Sequence, residues 1–247
     1  MYYPGLVSIS FRSLTPKQII DAAANAGLTC IEWGSDVHAP CHDLPKLQEI
    51  AALQADSGIF CSSYGTYFHI GTNAPEELPD YIRAAKILGT NILRLWCGSK
   101  GSEEYTPEEL EVLYAQCRLL AEIAEKEGVI LCMECHNGTL TDRADAAYAL
   151  MQAVGSSAFR MYYQPNQFRT AEENIYYAKL LAPYTLHLHV FNWRSYDRFP
   201  LKESIPLWKE YLFAFSGDRH LLLEFMPDDR VESLPTETAA LLQLIGG

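Results

Sequence analysis

Residues 105–135 read YTPEELEVLYAQCRLLAEIAEKEGVILCMEC, a long helical pattern that stops at a glycine and passes straight into a strand. Thr106 stands where an N-cap is needed and Pro107 at the first helical position. Glu109, three residues past the threonine, completes a capping box. Leu110, Leu113, Cys117, Leu120 and Ile123 recur at three- or four-residue spacing and make one apolar stripe. Gly128 is the residue type that most cheaply takes the left-handed conformation past a helix end. The run that follows is almost continuously apolar, as a strand covered on both faces must be, yet it carries a carboxylate near its end, Glu134.

The same helix–glycine–strand order recurs outward in both directions. Gly27, Gly58, Gly89 and Gly155 each follow a helix-like segment. Strand-like runs are LVSIS (6–10), LTCIEW (28–33), IFCSSY (59–64), NILRLWC (91–97), VILCMEC (129–135), FRMYYQ (159–164), TLHLHVF (185–191) and HLLLEF (220–225). Thr15, Pro16 and Gln18 repeat the capping device at the first helix, as do Thr170 and Glu173 at a later one. Further helices are expected near 43–57, 76–88, 142–154, 203–215 and 235–245. Strands alternating with helices predict parallel βαβ units. Eight of them in 247 residues predict a single (β/α)8 barrel domain spanning residues 1–247. The competing architecture, an open doubly wound sheet, usually shows a glycine-rich phosphate loop after its first strand; here SISFRSLTPK follows instead.

Composition narrows the function classes. A hydrophobic share of 49% and a charged share of 20% describe an ordinary globular chain. The net charge of −12 argues against a nucleic-acid-binding face, which needs a basic patch. The seven cysteines are odd in number; Cys132 and Cys135 have C-x-x-C spacing but lie along a strand, where their thiols face opposite sides. They read as small core residues in a reducing compartment. No basic, then apolar leader opens the chain, and no run is long enough to cross a bilayer, so a cytoplasmic location is expected.

In such a barrel the chemistry lies at the carboxyl ends of the strands. Polar residues there are Glu32, His69, Arg94, Glu134, His136, Gln164, His187, His189 and Glu224. Alternation puts His187 and His189 on one face of their strand and Leu186, Leu188 and Val190 on the other, and sets Arg94 beside Ile92 and Trp96. Glu134, Gln164, His189 and Glu224 fall near the ends of four consecutive strands. Two carboxylates, an imidazole and an amide oxygen form a plausible set for one divalent metal ion, Mn, Mg, Co or Zn. Such an ion would offset two buried carboxylates at once; the alternative partner for Glu134 is Arg94 on the neighbouring strand. His187 reads as a packed barrel residue, and His38, His42 and His220 as loop or surface residues.

The stretches ILCMECHNGTLTD (130–142), YYQPNQ (162–167), HLHVFNW (187–193) and LLLEF (221–225) carry a resemblance over essentially the whole chain to the xylose-isomerase-like sugar isomerases and epimerases. That group includes ketose 3-epimerases, hydroxypyruvate isomerases, inosose dehydratases and AP endonucleases. The resemblance implies metal ligands at Glu134, His189 and Glu224. The family usually shows Asp-x-x-His on its sixth strand, where this chain has Gln164-Pro165-Asn166-Gln167; the site then loses one negative charge. The resemblance further implies Glu134 and Glu224 as the acid–base pair for proton transfer next to a carbonyl. Glu32, His69, Arg94, His136 and Gln167 would bind the substrate, with Trp96 and Trp193 walling it. The expected partner is a small sugar or sugar-like molecule, with no nucleic acid or membrane, and relatives that often pair leave a homodimer open.

The leading expectation is therefore a keto-sugar isomerase or epimerase. A dehydratase of a keto-inositol would use the same site. A barrel that binds a sugar or metabolite without turning it over would fit the loss of the strand-six aspartate. An AP endonuclease needs more His and Asp ligands and a basic DNA-facing surface.

Overall fold

The computed structural model describes residues 1–246. Eight parallel strands close on themselves: β1 (Tyr2–Val7), β2 (Cys30–Gly34), β3 (Phe60–Ile70), β4 (Ile92–Cys97), β5 (Ile130–Glu134), β6 (Phe159–Tyr163), β7 (Thr185–Val190) and β10 (Arg219–Leu223). Each strand pairs with its neighbours in the chain-ordered barrel, and β1 closes it against β10 through Tyr2↔Arg219 to Leu6↔Leu223. A short antiparallel ribbon, β8 (Trp193–Arg194) with β9 (Asp197–Arg198), rises beyond β7. The outer ring is α1 (Pro16–Ala26), α2 (Leu44–Ser57), α3 (Leu78–Leu88), α4 (Pro107–Glu127), α5 (Ala144–Val154), α6 (Ala171–Leu181), α7 (Ile205–Leu212) and α8 (Leu234–Ile245). The chain is the (β/α)8 barrel that its alternating pattern predicts.

The local signals act as read. Thr15, Thr106 and Thr170 each close a capping box on α1, α4 and α6. Gly128 ends α4 at φ 69°, in the left-handed region. The apolar residues divide into two cores. The larger lies between strands and helices and includes Leu113, Cys117 and Leu120 of α4. The smaller fills the barrel interior with Val7, Ile9, Cys30, Cys132, Tyr162 and Leu222. Cys132 belongs to the inner core and Cys135 to the outer one. All seven cysteines are free, and six are buried. Among the described residues, no helix is long and apolar enough to cross a membrane.

Several expectations need correcting. The first strand runs over Tyr2–Val7 rather than 6–10, because its ladder to β10 begins at Tyr2; Ser8–Phe11 turn into a 3-10 helix. There the Ser8 hydroxyl accepts the Gly34 N–H (2.9 Å) and meets His38 Nδ1 (3.1 Å). His38 is thus buried, not a surface residue. His220 is half-buried at the foot of the barrel, where its Nδ1 lies 3.0 Å from His187 Nε2. Leu186, expected on the helix-facing side, falls at a register shift between β6 and β7 and packs against the inner core. The β8–β9 ribbon is too short to leave a periodic signal.

Candidate metal centre

Four strand ends meet at the carboxyl-terminal mouth of the barrel. Glu134 is the last residue of β5, Gln164 follows β6, His189 lies in β7 and Glu224 follows β10. Glu134, His189 and Glu224 each offer a ligand atom, all within 4.8 Å of one another. His189 Nδ1 is the common point: it lies 3.0 Å from Gln164 Oε1, 3.3 Å from Glu134 Oε1 and 3.6 Å from Glu224 Oε2. The four are 9% exposed or less. Glu224 reaches its place because Phe225 turns through φ 56°, with its N–H held by Ser10 Oγ at 2.8 Å.

The two carboxylates differ in electrostatic setting. Glu134 Oε2 accepts from Arg94 Nη1 (2.8 Å) and from Trp96 Nε1 (2.5 Å). Burial works against its charge, but Arg94 and His189 outweigh it and hold Glu134 below the usual carboxylate range. Glu224 has no such clamp; burial raises it above the usual range, only partly offset by His189. Beneath them Glu32 is fully buried, with Oε1 on Arg94 Nε (3.2 Å) and Oε2 taking the Ser63 hydroxyl (2.9 Å). Burial opposes charge on His189 too, yet Glu224 and Glu32 overcome it and raise the imidazole to about 10. Three buried carboxylates thus surround one guanidinium and one imidazole. When the imidazole is neutral, the site carries excess negative charge that a cation would offset.

Above this floor opens a cavity of about 230 Å³. Trp96, Trp193, Phe191 and Phe225 wall it; Arg94, His136, Gln164, Gln167, Glu134 and Glu224 supply polar groups. His136 is exposed at the rim, with its ring 5.3 Å from that of Trp96. Trp193 packs on Phe225, and Arg198 of the ribbon lies over both rings. Two residues expected to hold substrate line no part of this cavity. Glu32 lies below it with no exposed surface. His69 stands behind Trp96, its ring 4.7 Å away and its Nδ1 3.0 Å from the Gly98 carbonyl. Sequence reasoning missed Arg12, Tyr67, Asn137 and Asn166, which line the cavity. Arg12 donates to Tyr67 (2.5 Å) and pairs with Asp36; Asn166 Nδ2 donates to Asn137 Oδ1 (2.5 Å). Arg12 follows the first strand, and the asparagines adjoin His136 and Pro165, so position alone could have nominated them.

Residues 20–232 match the family model described as xylose isomerase-like TIM barrel. The chain belongs to the xylose isomerase-like TIM barrel family. No curated protein gives a significant match. Solved structures of similar fold include the probable 3-DHS dehydratase AsbF involved in petrobactin synthesis from Bacillus anthracis, with TM-score 0.80, 19% identity and 98% coverage of each chain. Another is a xylose isomerase-like TIM barrel protein from Mycobacterium smegmatis in complex with magnesium, with TM-score 0.71, 14% identity, and 98% of this chain and 96% of that one covered. A third is D-psicose 3-epimerase with D-tagatose from Clostridium cellulolyticum H10, with TM-score 0.68, 14% identity, and 99% of this chain and 98% of that one covered. This xylose isomerase-like barrel thus shares its fold with both a probable dehydratase and an epimerase.

Proposed function

We propose that the chain is a divalent-metal-dependent enzyme that removes a proton next to a carbonyl of a sugar or sugar-like molecule, with Glu224 as the base. The observation that carries this reading is the convergence of Glu134, Gln164, His189 and Glu224 on the floor of one aromatic-walled cavity. The donor set of two carboxylates, an imidazole and an amide suits a divalent cation. Such an ion, held by these four residues, would polarise the substrate carbonyl and acidify the neighbouring C–H. Glu134, with one oxygen bound by Arg94 and Trp96, serves as a fixed holder. Glu224 points one oxygen at His189, while its other accepts no hydrogen bond among the described residues and is left to take a proton and return it. Trp96, Trp193 and Phe225 exclude water and offer flat faces to a sugar ring. Arg94 and the rim amides bind oxygens.

Proton return to a carbon gives an isomerase or epimerase. The asymmetry of the two glutamates favours a second outcome, loss of a neighbouring hydroxyl as water, since one free carboxylate can take the C–H proton and deliver it to the leaving oxygen. Incubation with a panel of ketoses and keto-cyclitols in heavy water, with and without added divalent metal, tests the reading. Wild type incorporates deuterium next to the carbonyl only with metal, and Glu224→Gln loses about 10²–10⁴-fold of that exchange. Product analysis separates the outcomes: a new stereoisomer or carbonyl position for an isomerase, an unsaturated ultraviolet-absorbing ketone for a lyase. Exchange by Glu224→Gln at the wild-type rate would remove Glu224 from the chemistry.

A further inference from the structure

Glu32 sits where no substrate reaches it, at 0% exposure on β2. A buried carboxylate is costly unless every lone pair is used. Its two oxygens are divided. Oε1 accepts from Arg94 Nε at 3.2 Å. Oε2 accepts from Ser63 Oγ at 2.9 Å, whose hydroxyl lies 2.6 Å from Tyr162, and faces His189 Nε2 at 3.5 Å, the long end of hydrogen-bonding reach. The backbone makes room for this arrangement. A Cβ at Gly65, inside β3, would lie 2.7 Å from Glu32 Oε1 and 3.0 Å from Arg94 Nη2. A carboxylate serving only as counter-ion to Arg94 needs no histidine, since Ser63 already donates to its second oxygen, and Arg94 already has Glu134.

The opposite edge of the same imidazole faces the ligand cluster. Nδ1, not Nε2, is within 3.6 Å of Gln164, Glu134 and Glu224 oxygens. A metal-binding imidazole has one lone pair to give, and the hydrogen bond made by its other nitrogen sets which one. We infer that Glu32 is a positioning residue for the metal-binding histidine: it takes the Nε2–H of His189, fixes the ring plane and leaves Nδ1 as the ligand atom. Arg94 then ties Glu32 and Glu134 together, so the histidine and its neighbouring ligand share one brace. Gln164 brings no charge, so the centre depends more on such fixed geometry. The inference rests on the metal-centre reading proposed above.

Zn²⁺ is the probe, because it is diamagnetic and suits a nitrogen–oxygen site. Competition with a chromophoric chelator gives its affinity, and ¹⁵N–¹H correlation of the loaded protein gives the His189 tautomer. Wild type shows Nε2–H with zinc on Nδ1. Glu32→Gln binds Zn²⁺ about 10–100-fold more weakly, with circular dichroism reporting a retained fold. Ser63→Ala, a milder change, loses affinity in the same direction and remains informative if Glu32→Gln does not fold. If Glu32 acted only through its charge, Glu32→Gln would also bind Zn²⁺ more weakly, but Ser63→Ala would bind it as wild type does and the His189 tautomer would be unchanged in both variants, an outcome that overturns the inference. Binding by both variants within twofold of wild type, or zinc on Nε2 in wild type, overturns the inference and leaves the metal centre standing. Failure of wild type to bind Zn²⁺ overturns both.

Discussion

Glu134 and Glu224 hold matching places at the ends of their strands, yet their neighbours give them different capacities. Arg94 and Trp96 occupy one oxygen of Glu134, while burial without a comparable partner raises Glu224. Their occurrence at strand ends was legible from the apolar runs they close. The division of labour was not, because it depends on donors 38 and 40 residues away in sequence from Glu134. Depth was equally hidden: Glu32 and Arg94 read as cavity residues, and only packing shows Glu32 sealed beneath the floor. His38 teaches the same lesson. It lies in a loop-like stretch but is 1% exposed, with Nε2 unpartnered among the described residues and the ring edge against Trp33. Burial lowers its pKa, an effect that Asp36 only partly offsets. The folded state therefore binds this proton less readily than the unfolded chain, whose histidine titrates near 6.5. The resulting stability is fully present above about pH 6.5 and is lost as pH falls below it, by at most about 1.4 kcal/mol per pH unit for one proton. Burial lowers His187 and His220 in the same direction, so urea unfolding between pH 7 and 5 should show a combined slope, and His38→Gln should make it shallower by the share of one proton. A variant with the wild-type slope would show that His38 does not contribute to it.

At the scale of elements, the punctuation of the chain was its clearest message. The capping boxes at Thr15, Thr106 and Thr170 and the glycine ending α4 are local chemistry, independent of what the helix packs against. Thr106→Ala should accordingly cost about 1 kcal/mol, read as a lower urea midpoint with an unchanged m-value. An unchanged midpoint would mean that Glu109, also paired with Lys100 at 2.8 Å, holds the helix start alone. Elements without strong local signals were misread or missed. The start of β1 is set by pairing with β10, more than 200 residues away, and the shift that displaces Leu186 arises from the β6–β7 register. The β8–β9 ribbon has two residues per strand, yet it sets Arg198 over Trp193 and Phe225 at the cavity wall.

For the whole molecule, closure of the barrel turns scattered strand ends into one site. Binding there should stabilise the entire fold, because a ligand that binds only the native state adds RT ln(1 + [L]/Kd) to its stability. A divalent ion at a hundred times its dissociation constant would add about 2.7 kcal/mol, roughly 5–10 °C in Tm for a chain of this size. Thermal unfolding after chelator treatment, with and without Mg²⁺ or Mn²⁺, should show the shift in wild type and not in Glu134→Gln; an equal shift in both would place the ion elsewhere. The alternation of apolar strands with capped, striped helices was enough to specify a (β/α)8 barrel and to nominate Glu134, Gln164, His189 and Glu224. Periodicity and capping are properties of neighbouring residues, so a linear chain displays them. Which carboxylate is clamped, which is free, and that Glu32 lies behind His189 rather than before a substrate emerged only once the strands had closed. Burial and hydrogen-bond partnership are relations between distant residues, and no local pattern encodes them.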